Sequence, residues 1–493
     1  MNRLSLASMA SLPATVARPA YDPRSVAIGI VHLGIGAFHR AHQALYADSL
    51  LARDPRWGIC GVSLQTATAR EQLAPQDGLY SIALKSAAGV ERRVIGAVRE
   101  VLFAVEQRDR VIARIAAPTT HIVSLTVTEK GYCHDPATGR LNALHAGIAH
   151  DLANPAMPTT APGWMVAGLR ARMAAGGGPL TVVCCDNLPH NGRVVGGIVR
   201  EFAERVDPGL AAWIATNVRF PSTMVDRIVP ATTAADRDAF VVDCGLADEG
   251  LVVAEPFIQW VIEDDFAGTA GDRPRWEEAG AQLVTDVAPF ELMKLRMLNG
   301  SHSTMAYLGY LAGYDYIYQV SADPRFQRLV NGLWDESGAT LPPLPGIDIA
   351  QYRRDLLARY QNAALPHKTW QIAMDGSQKL PQRLLHPARE RLQAGGSISH
   401  LALAVAGWMR YVGGVDERGQ PIDVRDPLGL QFKAICANAG DADPDARVRG
   451  LLSLSPIFGD DLPANPRFVD AVTNWHRKLA HDGVQHVLNT HFS

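Results

Sequence analysis

Four side chains that could transfer a proton and stabilise a charged oxygen lie within residues 289–303, whose sequence is PFELMKLRMLNGSHS. They are Glu291, Lys294, Asn299 and His302, and most of their neighbours are apolar. If the stretch forms an α-helix, the other three side chains lie roughly 60°, 140° and 80° from Lys294 around the helix axis. The spacing therefore predicts one broad face of mixed polarity.

These residue types suit hydride exchange between an alcohol and a nicotinamide cofactor, which needs a base for the hydroxyl proton and, in reverse, an acid. Lysine does both when its pKa falls well below ~10.4, and a mostly apolar cleft between domains would have that effect. Asn299 and His302 would then polarise the reacting oxygen, and Glu291 would relay protons to water. Taken alone, a lysine on a helix is usually solvated, a histidine on an apolar face usually belongs to the core, and an asparagine before glycine usually marks a turn. The hypothesis therefore depends on the four residues occurring together.

Two further polar stretches follow apolar runs. DNLPHNG (186–192) comes after LTVVCC and places Asp186 and Asn187 at the carboxyl end of a strand, where doubly wound sheets bind ligands. Asn187 is a candidate second donor to the reacting oxygen. MVDRIVP (224–230) sets Asp226 and Arg227 among apolar residues, which predicts either a buried ion pair or a contact of Asp226 with substrate hydroxyls.

A glycine-containing turn, HLGIGAFHRAH, predicts a cofactor site, because glycine permits close backbone approach to a pyrophosphate and a helix N-terminus supplies amide donors. The candidate residues are Gly34, Ile35, Gly36, Ala37, Phe38 and His39. His39 occupies the third position of the GxGxxG pattern, so helix packing there must differ. The carboxylate that usually holds a ribose hydroxyl is absent from SLQTATAR, where Gln65, Thr66, Thr68 and Arg70 stand instead. NAD is the expected cofactor, and NADP stays open.

Strand and helix signals alternate through the first half of the chain. VAIGIVHLGIG (26–36), GICGVSL (58–64), VERRVIGAVREVLF, HIVSLTVTEKGY and LTVVCC are predicted strands, separated by helical stretches such as GWMVAGLRARMAA. This predicts an α/β fold with a parallel, doubly wound sheet. After about residue 205, short strands or loops should extend the sheet or cover its edge. From Pro289 the periodicity is helical, so we predict a dinucleotide-binding domain over 1–285 and a mostly helical domain over 286–493.

Composition agrees with a two-domain globular protein of 493 residues. The formal net charge of -3 argues against a nucleic-acid-binding arm. The six cysteines form no CxxC pair and no ligand cluster, which favours a reducing cytoplasm and no metal site. No run approaches the ~18 apolar residues of a membrane span, so no membrane association is expected.

The stretches GIGAFHRAHQALYAD, TVTEKGY, CDNLPHNG, MVDRIVP, EPFIQWVIEDDF, KLRMLNGSHS and MDGSQKLPQR, in this order, resemble the mannitol dehydrogenase family of long-chain polyol-specific dehydrogenases. The resemblance implies a zinc-independent secondary-alcohol dehydrogenase with an N-terminal Rossmann-type domain, a helical C-terminal domain and an active site between them. It also implies a role for each candidate residue. Lys294 would be the general acid/base, Asn299 and Asn187 the oxyanion-stabilising amides, His302 the residue that orients the substrate oxygen, Glu291 the proton relay and Asp226 a pocket residue.

Within the family, HKTWQIAMDGSQKLPQR (367–383) looks most like the fructuronate reductase branch, which interconverts D-mannonate and D-fructuronate. Cationic partners for a substrate carboxylate would come from His367, Lys368, Lys379 and Arg383. Oxidation of D-mannitol or D-arabinitol is the alternative within the family. A noncatalytic NAD(P)-binding sensor is the alternative from another class, against which Lys294 argues. The partner is expected to be a small sugar acid or polyol, with no nucleic acid, and the protein a monomer.

Overall fold

The computed structural model describes residues 2–135, 138–439 and 443–493. The chain divides into two compact units, of which the first ends at Ala288 and the second is Pro289–Ser493. In the described residues, no helix is both long enough and apolar enough to cross a membrane.

The first unit contains all the β-strands found in the described residues. They are β1 (Val16–Ala17), β2 (Ile28–Leu33), β3 (Gly58–Ser63), β4 (Tyr80–Ser86), β5 (Gly89–Ile95), β6 (Val98–Phe103), β7 (Ile122–Leu125), β8 (Leu180–Cys184), β9 (Val218–Arg219), β10 (Thr223–Asp226), β11 (Val252–Ala254), β12 (Gln259–Glu263) and β13 (Gln282–Val284).

Six of these strands form a parallel sheet in the order β6-β3-β2-β7-β8-β9. Ile30 in β2 lies beside Ile59 of β3 on one side and Ile122 of β7 on the other. The chain reverses its direction of travel across the sheet between β2 and β7, and doubly wound sheets bind ligands at that switch point. The predicted Rossmann-type fold is confirmed.

The helices of the first unit are α1 (Ala37–Ala41), α2 (Gln43–Leu50), α3 (Thr68–Leu73), α4 (Arg108–Ala116), α5 (Ala146–Ala153), α6 (Ala161–Ala174), α7 (Asn191–Val206), α8 (Pro208–Asn217) and α9 (Ala234–Cys244). Short 3₁₀ turns occur at Met9–Ser11, Pro23–Ser25, Ala74–Gln76, Glu129–Tyr132, Ala270–Asp272 and Trp276–Ala279. Alternate residues of β2 enter two apolar cores, because Val31 and Leu33 belong to one cluster and Ile30 to the other. The central sheet is therefore covered on both faces.

Two parts of the strand prediction need correction. The stretch VERRVIGAVREVLF holds two strands, and the first of them, β5, pairs antiparallel with β4 in a separate sheet of order β1-β5-β4-β11. The later strands only partly extend the main sheet: β9 adds to its edge, whereas β10, β12 and β13 form a third sheet.

In the described residues of the second unit, the secondary-structure elements are helices joined by loops. A continuous helical run passes from α10 (Ala288–Met293) through a π-helix (Lys294–Asn299) into α11 (Gly300–Leu311). The other helices are α12 (Ile317–Ala322), α13 (Pro324–Gly338), α14 (Ile349–Tyr360), α15 (Thr369–Ala373), α16 (Gly376–Leu380), a second π-helix (Pro381–Leu385), α17 (His386–Gln393), α18 (Ser399–Tyr411), α19 (Gly429–Ala439), α20 (Pro444–Leu452), α21 (Ser455–Phe458) and α22 (Pro466–His491).

One large apolar core holds these helices together, with α11 and α18 at its centre. The two π-helices pack against each other. Gly300 permits this approach, because a Cβ there would lie 3.1 Å from the backbone oxygen of Arg383. The packing brings the segment with Lys294 and Asn299 next to the segment with Arg383.

Candidate functional site

The glycine turn after β2 borders a cavity of about 530 Å³ in the first unit. Gly34 has a φ of 95°, and a Cβ there would clash with the backbone oxygen of Thr126 at the end of β7. Only glycine fits this turn without strain. Gly36 has no such neighbour, and its missing side chain leaves the cavity wall open. The backbone here can approach a ligand closely, as a dinucleotide pyrophosphate requires.

The six residues predicted for this turn divide into two groups. Gly34, Ile35 and Gly36 line the cavity. Ala37, Phe38 and His39 lie in the first turn of α1 and do not line it. The imidazole of His39 is buried and stacks on that of His32 in β2, with 3.4 Å between ring centres. This stack explains how α1 packs on the sheet without the third glycine of the fingerprint.

The end of β3 forms the wall where a ribose would bind. Gln65, Thr66 and Thr68 line the cavity, as does Ser63. Arg70 does not line it, because its guanidinium pairs with Glu106 at 2.7 Å and lies over the ring of Phe103. The side chains that face the cavity here are neutral, so they offer hydrogen bonds to ribose hydroxyls and no charge for a 2′-phosphate.

The opposite wall contains residues that the sequence reasoning missed, among them Lys130, His145 and Thr160. Thr160 is the N-cap of α6 and accepts a hydrogen bond from the Gly163 amide at 3.1 Å. The Thr-Ala-Pro start of this helix is a recognisable capping signal that could have identified it. The N-terminus of α6 therefore adds a partial positive charge to the cavity.

Asp186, at the end of β8, has a structural role in this wall. Its carboxylate accepts hydrogen bonds from the backbone amides of Val127 and Thr128 at 2.9 and 3.0 Å, and from the Tyr132 hydroxyl at 2.6 Å. Burial raises its pKa, and these bonds oppose the effect. Asp186 thus fixes the loop that carries Lys130.

In the second unit, the continuous run through α10, the first π-helix and α11 carries Glu291, Lys294, Asn299 and His302. The π-turn contains about one residue more than an α-turn, so residues after it are set back by about 100°. Asn299 and His302 then lie roughly 40° and 20° from Lys294, and not the roughly 140° and 80° expected of an unbroken α-helix. The candidate face is narrower than the sequence predicted.

The imidazole of His302 lies between the rings of Tyr360 and His367, with ring centres 5.4 and 5.8 Å away. Its Nε2 is shielded from solvent and has no hydrogen-bond partner among the described residues. Burial lowers the pKa of His302 well below its ordinary value, and four basic neighbours lower it further: His367, Arg383, Arg359 and Lys379. The ring is therefore neutral at pH 7, and the hydrogen-bonding capacity of Nε2 is unused among the described residues.

Among these four neighbours, Arg383 comes second after His367 in its effect on the His302 pKa, and Lys379 has the smallest effect. Lys379 Nζ donates to the backbone oxygens of Met374 and Ile372 at 2.5 and 3.3 Å, which leaves one of its three donors. Burial, followed by the charge of Arg383, lowers the pKa of Lys379 to about 8. Arg383 Nη1 donates to Ser303 Oγ at 3.0 Å, and burial lowers the pKa of its guanidinium.

The remaining predicted residues lie in the first unit. Asn187 is exposed in the loop after β8. Asp226 is the last residue of β10 and is buried, opposite Gln259 in register. Next to it, the Arg227 guanidinium donates to the backbone oxygens of Glu255 and Ala41. The roles assigned to Asn187 and Asp226 stay predictions.

No cluster of three or more potential metal-binding side chains occurs in residues 2–135, 138–439 and 443–493. The predicted absence of a zinc site is tested by chelation below.

The chain matches two family models, the mannitol dehydrogenase Rossmann domain over residues 28–278 and the mannitol dehydrogenase C-terminal domain over 286–480. It is 49% identical to D-mannonate oxidoreductase of Escherichia coli over 476 residues, 95% of this chain and 97% of that protein. It is 40% identical to mannitol 2-dehydrogenase of Aspergillus fumigatus, over 99% of this chain and 98% of that one. Among solved structures, it resembles Pseudomonas fluorescens mannitol 2-dehydrogenase in its ternary complex with NAD and D-mannitol, with a TM-score of 0.84, 38% identity and 99% of each chain covered.

Proposed function

Because this chain belongs to the mannitol dehydrogenase family, we propose that it is an NAD-dependent, zinc-independent oxidoreductase that interconverts a secondary alcohol and a ketone on a sugar acid or polyol. The favoured pair is D-mannonate and D-fructuronate.

The cavity in the first unit is the proposed NAD site. Gly34 and Gly36 would admit the pyrophosphate, and the capped N-terminus of α6 would add amide donors and a favourable dipole. Gln65 and Thr66 would bind the adenosine ribose through neutral hydrogen bonds. NAD supplies the hydride acceptor of the oxidation.

The helical run of the second unit supplies the proton chemistry. Lys294, as a neutral amine, accepts the proton of the substrate hydroxyl, and Glu291, one turn earlier, passes that proton to water. The Asn299 amide donates to the oxygen on which negative charge develops. His302 Nε2, which bonds to none of the described residues, orients the same oxygen.

The observation that carries the aldonate assignment is the group of basic side chains around His302. The positive charges of Arg383, Arg359 and Lys379 act at the His302 ring and lower its pKa. The same potential attracts a substrate carboxylate, and a cation with a spare donor could bind it directly. The 49% identity to a D-mannonate oxidoreductase supports this assignment over the 40% identity to a mannitol 2-dehydrogenase.

Oxidation of D-mannitol is the second candidate, favoured by the structural similarity to a mannitol 2-dehydrogenase. Steady-state kinetics with D-mannonate and D-mannitol, each with NAD and NADP, separate the two. We expect the highest kcat/KM with D-mannonate and NAD, in the presence or absence of EDTA. A much higher kcat/KM with D-mannitol would reverse the assignment, and loss of activity in EDTA that zinc restores would contradict zinc independence.

A second experiment tests the catalytic helix itself. Lys294→Ala should lower kcat by ~10²-fold or more through loss of proton transfer, while NAD affinity measured by calorimetry stays close to that of the wild type. Lys433→Ala, at an exposed lysine of the same unit, is the matched control and should change neither quantity. An unchanged kcat in Lys294→Ala would refute the assigned role.

A further inference from the structure

The π-helix that begins at Lys294 needs support from outside the helix. The Gly300 amide donates to the oxygen of Leu295, five residues earlier, and also to that of Met297, three residues earlier, whereas an α-helix uses the oxygen four residues earlier. Such wide turns are rare, usually limited to single turns, and concentrated at functional sites. Residues 294–300, KLRMLNG, contain mostly good helix formers, so their own propensity favours an ordinary α-helix. The wide turn must therefore be stabilised by its neighbours.

Two aromatic side chains from other helices bind the backbone oxygens of this turn. Trp334 Nε1, from α13, donates to the Met297 oxygen at 2.9 Å. The Tyr360 hydroxyl, from α14, donates to the Leu298 oxygen at 2.7 Å and lies 2.9 Å from Ser301 Oγ. Both donors are buried, and the Ser301 hydroxyl shares their acceptors, at 2.6 Å from the Met297 oxygen and 3.2 Å from the Leu298 oxygen. Side chains therefore pair the buried oxygens of the wide turn, as buried polar groups require.

Tyr360 also contacts His302, a residue of the candidate site. Its ring packs against that of His302, with 5.4 Å between ring centres. One side chain thus binds the oxygen of the wide turn through its hydroxyl and contacts the predicted substrate-orienting imidazole through its ring. For Trp334, the relevant contact is its bond to the Met297 oxygen.

We propose that Tyr360 is a positioning residue, whose hydroxyl holds the wide turn between Lys294 and His302 and so sets the angle between the two. This inference rests on the proposed function, because it assigns Tyr360 a part in that reaction through Lys294 and His302. If the turn closed to an α-turn, the two side chains would separate from roughly 20° to roughly 80° around the axis. Tyr360 itself transfers no proton and binds no substrate.

The test compares Tyr360→Phe with Tyr411→Phe. The first removes only the hydroxyl and keeps the ring against His302. The second removes a buried hydroxyl in the same unit that has no hydrogen-bond partner among the described residues. For Tyr360→Phe we expect kcat with D-mannonate to fall by roughly 10- to 100-fold, the effect of a misplaced catalytic group. KM for NAD should change less than about twofold, since NAD is assigned to the other unit. Tyr411→Phe should match the wild type in both.

Amide hydrogen exchange over residues 294–304 gives a second readout that needs no substrate. Exchange there should be faster in Tyr360→Phe and unchanged in Tyr411→Phe. If the wild type oxidises neither D-mannonate nor D-mannitol, the proposed function fails, and unchanged exchange in Tyr360→Phe would then refute the support of the turn separately. Faster exchange with an unchanged kcat, or an equal loss of kcat in both variants, would overturn the positioning role.

Ser301→Ala covers the case in which Tyr360→Phe fails to fold. It removes the hydroxyl that lies beside Tyr360 and donates to the Met297 oxygen at 2.6 Å. Ser301→Ala should lower kcat with D-mannonate and leave KM for NAD unchanged, as expected for Tyr360→Phe. A wild-type kcat in Ser301→Ala would count against the proposal.

Discussion

Replacement of Lys379 by methionine tests whether positive charge near His302 selects an anionic substrate. Lys379 Nζ has two backbone acceptors, the oxygens of Met374 and Ile372, and its third donor is available to a substrate oxygen. Methionine keeps an unbranched side chain of similar length and removes the charge. The fold should tolerate the change, because Lys379 is only partly buried.

The expected size of the effect follows from the substrate's charge. A hydrogen bond to a charged group contributes about 1.5–3 kcal/mol and one between neutral groups about 0.5–1.5 kcal/mol. Because 1.4 kcal/mol corresponds to a factor of ten, Lys379→Met should lower kcat/KM for D-mannonate by roughly 10- to 150-fold. With D-mannitol, the ammonium would bind a neutral hydroxyl, so Lys379→Met would remove a hydrogen bond but no ion pair. The loss of kcat/KM should therefore be smaller for D-mannitol than for D-mannonate. The ratio of kcat/KM for D-mannonate to that for D-mannitol should fall by about tenfold.

The assay is steady-state oxidation of both substrates at pH 7 by wild type, Lys379→Met and the exposed-site control Lys433→Met. The control should leave both kcat/KM values unchanged, since Lys433 is exposed on α19. Equal losses for D-mannonate and D-mannitol in Lys379→Met would refute charge selection and indicate that this lysine supports the site only structurally. A loss confined to D-mannitol would reverse the substrate assignment.

Three more predictions follow from the same geometry. Burial lowers the pKa of Lys379 to about 8, so its ammonium loses a proton as the pH rises from 7 to 9. KM for D-mannonate should then rise by up to about tenfold per pH unit above 8. KM for D-mannitol, measured in parallel, should rise less. Gly34→Ala should lower Tm and weaken NAD binding, because of the φ of 95° and the clash with a neighbouring backbone oxygen, whereas Gly36→Ala should leave Tm unchanged; equal Tm values for the two variants would contradict the assigned strain. Glu106→Gln should release Arg70 and lower KM for NADP by only about 2- to 5-fold, since an exposed ion pair contributes about 0–1 kcal/mol; no change would mean that Arg70 does not reach the 2′-phosphate.

Local sequence patterns predicted much of the first unit. Buried parallel strands are continuous apolar runs, and β2, β7 and β8 are read directly from them. The turn at Gly34 and Gly36 was also predicted from the sequence, because close backbone approach requires glycine. The separate sheets could not be predicted, because strand signals do not specify partners. The strand β5 looked like a member of the main sheet until its antiparallel pairing with β4 was known.

The π-helix could not be predicted for a related reason. Residues 294–299 have a helical pattern, and what widens the turn is supplied by Trp334 and Tyr360, which follow the oxygens they bind by 37 and 62 residues. Sequence reasoning placed the four candidate residues on one helical run, with an angle from Lys294 that was too wide for Asn299. Arg359, which contributes to the potential at His302, was missed because a charged residue in an amphipathic helix is usually solvated.

The basic group around His302 favours an anionic substrate on energetic grounds. Removing cations from water is costly, and here the cost appears as lowered pKa values for Lys379 and Arg383, although Asp375 and Asp426 oppose the shift at Lys379. A bound carboxylate would offset that cost, whereas the hydroxyls of a polyol would offset only part of it. The two candidate substrates share much of their hydroxyl pattern but differ in charge at one end. That charge therefore distinguishes the two candidate reactions better than the hydroxyl groups do. This is why the ratio of D-mannonate to D-mannitol turnover, and its response to Lys379→Met, is the decisive quantity.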